Sequence, residues 1–161
     1  MRMIRKFLLS TLIFMASSSF SLTNVLFEDT HGQITPFSSL KGKWVFINYW
    51  AGWCQTCVDE IPEFNRFYQS HKKKQVALFA VNFDALSLRE QKNLIKRHKI
   101  NYPNLLKDPS NDLHLGDITG VPVTFIFNPK GQLVKTLYGG QTAETLEQVL
   151  AENAQQKPRI S

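Results

Sequence analysis

At 161 residues, with 19 Lys and Arg against 13 Asp and Glu, the chain is one domain's worth of sequence, long enough to bury a proper core. Its two cysteines are too few for a disulfide-stapled scaffold, so stability must rest on that core. The formal charge of +6 is modest and locally clustered, and it calls for no nucleic-acid partner.

The first 21 residues stand apart from the rest. Arg2, Arg5 and Lys6 precede an apolar run, Phe7–Ala16, and the small residues Ala16-Ser17-Ser18-Ser19 follow it. Ser19 and Ser21 suit a small-x-small cleavage site. The pattern predicts a secretory signal peptide over residues 1–21, with an apolar run too short to span a bilayer comfortably. An uncleaved membrane anchor is the alternative. No cysteine lies near the processing site, so lipid attachment is not expected. The protein is expected to be exported to the periplasm, and removing the three cations leaves a charge of +3. Residues 22–155 are then one folded domain, and the polar residues 156–161 a disordered tail.

Two short strands open the domain, Asn24–Phe27 and Gln33–Thr35, joined by a turn at Asp29–Gly32. After Lys41-Gly42, the apolar run Trp44–Trp50 reads as a buried strand. It leads into Ala51-Gly52-Trp53-Cys54-Gln55-Thr56-Cys57, and a helix is predicted from Cys54 to about Lys73. The cysteines thus fall where a strand hands over to the first turn of a helix. Residues i and i+3 there have Cα atoms about 5–6 Å apart, a span a disulfide tolerates. Unpaired N–H groups and the positive end of the helix dipole favour a thiolate at the first position. A thiolate that attacks, with a second thiol one turn away, is the apparatus of thiol–disulfide exchange.

Three other readings of the pair compete with that one. A structural disulfide across so short a loop removes little chain entropy. Structural zinc takes four Cys or His ligands, and His31, His71, His98 and His114 have no paired spacing to complete them. Copper(I) needs only two soft thiolates and stays open as a metal-handling alternative, separable by metal retention against a chelator. No metal site and no bound cofactor are otherwise expected.

Beyond the pair, Ile61, Phe64, Phe67 and Tyr68 recur at helical spacing as a buried face, with Pro62 inside the helix. Val76–Asn82 is a second continuous apolar run, the mark of a strand buried on both faces. Ser87-Leu88-Arg89-Glu90 is a capping box, predicting a helix to about His98 with Leu88, Leu94 and Ile95 inward and His98 at the surface. A short strand over Asn104–Lys107 and a brief helix over Asn111–Leu115 come next. Then Gly120-Val121-Pro122 precedes the apolar strand Val123–Phe127, a strand-start position for proline. Asn128–Gly131 makes a hairpin turn into an edge strand, Gln132–Tyr138, and Thr142 caps a last helix with Leu146, Val149 and Leu150 inward. The order defines an α/β fold with a central mixed sheet flanked by helices, an N-terminal strand pair and a helix–strand insertion.

The run from Gly42 through Trp53-Cys54-Gln55-Thr56-Cys57 to Pro62, together with Gly120-Val121-Pro122, resembles the thioredoxin superfamily. More narrowly, it resembles the TlpA/ResA/DsbE branch of extracytoplasmic thiol–disulfide oxidoreductases, over essentially all of Leu22 to Gln155. The resemblance implies a thioredoxin-like fold and a disulfide reductase, with a part in cytochrome c maturation; disulfide oxidase or isomerase activity is the alternative direction. It also implies protein disulfide substrates, a membrane thiol–disulfide donor of electrons, and a monomer. Cys54 is the expected nucleophile and Cys57 the resolving thiol. Glu60, three residues on, is the expected proton acceptor for Cys57, unless it is only a first-turn anion on the helix dipole. Val121 and Pro122, the latter cis by resemblance, are expected to face the cysteines and hold substrate. Trp53 is expected to shape the docking surface or simply to pack. Asn48 stands where thioredoxins bury an acid, and Gly116 where they usually carry an aromatic residue.

Overall fold

A run of side chains that water disfavours on both faces can be satisfied only at the centre of a sheet. Trp44–Trp50 forms such a strand, β3, buried at every position after Trp44. The computed structural model describes residues 25–71 and 75–155. The signal-peptide features, the lysines at 72–74 and the tail at 156–161 lie outside the described residues. Two short strands come first, β1 (Leu26–Glu28) and β2 (Ile34–Pro36), paired antiparallel. The main sheet then takes β3, β4 (Val76–Asn82), β5 (Asn104–Leu105), β6 (Val123–Phe127) and β7 (Leu133–Tyr138). Its order is β5-β4-β3-β6-β7. Strands β3, β4 and β5 run parallel, whereas β6 is antiparallel to β3 and β7 antiparallel to β6.

Helix α1 (Gln55–His71) crosses from β3 to β4, and α2 (Leu88–His98) from β4 to β5. Both crossovers step the same way along the sheet, so the right-handed rule places both helices on one face. The last helix, α3 (Ala143–Gln155), contributes Leu146 and Val149 to the same core as Ile61, Phe64 and Phe67 of α1. The flanking by helices is therefore one-sided. The other face is closed by the β1–β2 pair, a 3-10 turn at Phe37–Leu40, and Leu113, Leu115 and Ile118. Phe27 meets Phe37 and Phe79 edge-on at 5.5 and 5.1 Å, and Phe37 meets Phe127 at 5.1 Å. Such pairs add about 1 kcal/mol each beyond the area they bury.

The structure corrects several local expectations. The Ser87–Glu90 capping box forms, but Leu88 at the helix start is 40% exposed. The buried residue of α2 is Gln91, whose amide donates to the carbonyls of Leu86 and Leu106. Leu94 and Ile95 are half-buried against the core, as is Tyr68 of α1. His98 is also half-buried, its ring edge-on to Trp50 at 5.8 Å. No helix forms over 111–115. The Leu113, His114 and Leu115 amides reach back four, three and five residues, which is a set of turns and not a repeating helix. Asp108 fixes this segment by accepting from the Ser110 amide and the Tyr49 hydroxyl.

Candidate active site

The chemistry gathers where β3 ends. In open α/β sheets the carboxyl ends of the strands are where chain crossovers leave a crevice. Trp50 and Ala51 are buried there, and Cys54 follows at the tip of α1. Cys54 and Cys57 form a disulfide, with Cα atoms 5.2 Å apart. The Cys57 amide lies 3.2 Å from the Cys54 sulfur and donates to it, while the Val58 amide closes the first helical turn on the Cys54 carbonyl. A sulfur facing helix N–H groups is stabilised as a thiolate. Of the two, Cys54 is the accessible one, at 8% exposure against none for Cys57.

Glu60 is buried behind this pair at 3% exposure. It is thus no solvated first-turn anion. Its Oε1 accepts from Asn48 Nδ2 at 2.8 Å, and its Oε2 from the Gln141 amide at 2.9 Å. Asn48 in turn donates to Thr124 Oγ1 at 3.2 Å, its partner across β3 and β6. Burial pushes the Glu60 carboxyl up from an ordinary 4.5 to about 7, against the smaller downward pull of these two hydrogen bonds. A carboxyl that titrates near neutrality, on the helix face of Cys57, suits transfer of the resolving thiol's proton. Gly140 makes the Gln141 contact possible. A Cβ there would come within 2.9 Å of Thr56 Cγ2, so only a bare backbone lets this loop approach the first turn of α1.

Across from the cysteines, the Val121–Pro122 peptide bond is cis. The Val121 carbonyl oxygen lies 3.7 Å from Cys54 Sγ. Trp53 is 67% exposed, and its indole N–H donates to Asp84 Oδ1 at 2.9 Å. The ring is held in a fixed direction at the surface beside Cys54 and is not part of the core. Gly116, at φ +76°, sits in the left-handed region where an aromatic residue would be strained.

The structure therefore brings Cys54, Cys57, Glu60, Val121 and Pro122 together, with Trp53 at the rim. Sequence reasoning misses Gln141, Gly140 and Asp84, none of which carries a motif, and it marks Asn48 only as a replaced acid. A fuller signal for Asn48 lies in strand alternation, which puts it on the same face as Phe46 and Trp50, toward α1. Among the described residues no group of three or more His, Cys, Asp or Glu could hold a metal ion. A metal at this pair would have the two thiolates and no third ligand of that kind.

Comparison with known proteins agrees with this geometry. Residues 16–136 match the AhpC/TSA family. Thiol-disulfide oxidoreductase ResA of Bacillus subtilis is 35% identical over 119 residues, which is 74% of this chain and 66% of that protein. A ResA of Bacillus cereus is 30% identical over 124 residues, 77% of this chain and 71% of the relative. The crystal structure of StoA from Bacillus subtilis superposes with a TM-score of 0.65 at 28% identity, covering 77% of this chain and 93% of StoA. The chain belongs to the AhpC/TSA family and has its thioredoxin-like fold. Its activity class is thiol–disulfide oxidoreductase, which implies protein thiol substrates. Within that class it is similar to ResA and StoA.

Proposed function

We propose that this chain is an extracytoplasmic disulfide reductase, with Cys54 as nucleophile, Cys57 as resolving thiol and Glu60 as the proton acceptor for Cys57. The observation that carries this reading is the buried Glu60 carboxyl, held near neutrality on the helix face of the resolving cysteine. In the forward reaction the Cys54 thiolate attacks a substrate disulfide, forming a mixed disulfide and releasing one substrate thiolate, which takes up a proton. Glu60 then takes the Cys57 proton. The Cys57 thiolate attacks Cys54 Sγ, the second substrate thiolate leaves, and two electrons have passed to the substrate. Val121 and Pro122 line the entry to Cys54 and hold the substrate chain there, and Trp53 shapes the docking rim.

Export rests on the signal-peptide pattern of residues 1–21, and none of the described helices is long and apolar enough to cross a membrane. A reductant outside the cytoplasm needs a membrane thiol–disulfide protein to recharge it, because its surroundings are oxidising. Cytochrome c maturation, where paired cysteines must be reduced, is the process this reading favours. The test is capture of partners on Cys57→Ser in the cell envelope. Mixed disulfides with extracytoplasmic proteins bearing paired cysteines, released by reductant and lost when Cys54 is also replaced, are expected. Capture confined to cytosolic proteins would overturn the proposed location.

A further inference from the structure

Glu60 has two donors, one on each oxygen, and each oxygen keeps room for another. Tyr102, in the connection between α2 and β5, lies against the α1 face that carries Glu60. Its ring meets Phe64, one turn beyond Glu60, at 6.1 Å, and Tyr68, two turns beyond, at 6.2 Å. The residue is 4% exposed, and its hydroxyl is fully buried with no hydrogen-bond partner. Burying a hydroxyl donor without an acceptor is costly, and a phenylalanine would fill the same space without that cost. The charge of Glu60 is felt at this hydroxyl, so the carboxyl is the acceptor within its reach to consider.

We propose that Tyr102 is a positioning residue whose hydroxyl is the third hydrogen-bond donor to Glu60, engaged directly or through one water when that carboxyl ionises. The inference rests on Glu60 serving as the proton acceptor of the resolving step. In the oxidised protein the other groups around Glu60 are already bonded or do not titrate. On α1 the titratable neighbours are the cysteine pair and Glu63, which is already bonded to the Ala143 amide and to Arg66. Strands β3 and β6 present Asn48 and Thr124, and the connection before α3 presents the Gln141 amide, none of which titrates. Tyr102 remains a protonated donor throughout, because burial and the charge of Glu60 both hold its hydroxyl well above the ordinary tyrosine range.

The test is Tyr102→Phe, followed by carbon-13 NMR titration of the Glu60 carboxyl in the oxidised protein. Losing a donor to the ionised form raises the midpoint from about 7 by about one pH unit, the size a hydrogen bond to a charged group sustains. The pH profile of mixed-disulfide resolution should move by the same amount, and Tyr102→Phe should have no effect on that rate in a Glu60→Gln background. An unmoved midpoint, with the variant melting at a higher temperature at every pH, would mean that the hydroxyl is only a packing burden. That result overturns the role of Tyr102 and leaves Glu60 untouched. If the midpoint moves but the resolution profile does not, Tyr102 stands and the proton-acceptor reading of Glu60 fails.

Discussion

Replacing Cys54 with serine is expected to abolish disulfide exchange, whereas Cys57→Ser still attacks and then stalls as a stable mixed disulfide. The difference follows from position. Cys54 Sγ lies at the tip of α1, bonded by the Cys57 amide and more exposed than its partner. Cys57 is sealed inside the helix and meets only the intermediate formed on Cys54. With the nucleophile gone, the remaining thiol is both inaccessible and without the N-terminal N–H groups that stabilise a thiolate. Intact-mass analysis after incubation with a small-molecule disulfide distinguishes the two variants. If Cys54→Ser yields the stable adduct, the assignment of nucleophile and resolving thiol is reversed.

The second large effect belongs to Glu60→Gln. The folded chain keeps a proton on Glu60 up to about pH 7, whereas the unfolded chain releases it near 4.5. The stability this confers is complete below 4.5 and is lost as pH rises through 7. At one pH unit per 1.36 kcal/mol, the loss amounts to about 3 kcal/mol. The variant has no such titration, so between pH 4 and 8 its stability relative to wild type should rise by about 3 kcal/mol. At acid pH it should be the less stable protein. Its amide NH2 must face one of the two donors, Asn48 Nδ2 or the Gln141 amide, that now bond the carboxyl oxygens. Resolution should slow on the order of 100-fold at neutral pH, the low end of general-base catalysis. Urea melts across this pH range and quench-flow measurement of resolution check the two halves separately. A stability difference that does not change with pH would contradict the raised Glu60 carboxyl.

What is legible in the sequence is what a short window determines. The apolar runs of β3 and β4, the Ser87 capping box and the cysteine spacing each state their own geometry, and the structure has all four. Local pattern fails where a distant segment decides the outcome. Leu88 faces out because α2 packs through Gln91, whose amide has carbonyls waiting on both sides. Residues 111–115 stay in turns, and Leu113 reaches the core to which Phe27 of β1 and Phe37 also belong. The partners of Glu60 come from 12 residues before it and 81 after it. One of them is a backbone amide, which no residue type advertises. The burial that sets the Glu60 proton affinity therefore cannot be read from its place three residues after Cys57.

The direction of electron flow is the central claim, and the reduction potential of the Cys54–Cys57 pair tests it most directly. Strong oxidants of the thiol–disulfide class stabilise the reduced thiolate heavily and reach about −120 mV. Here Gln55 and Thr56 between the cysteines carry no charge, and Glu60 adds a negative charge when it ionises. Both features stabilise the thiolate less, so the disulfide should be harder to reduce. Equilibration with glutathione, followed by the fluorescence of Trp50 and Trp53, should give a potential below about −200 mV. A value near −120 mV would make the protein a disulfide donor and contradict the reductase account.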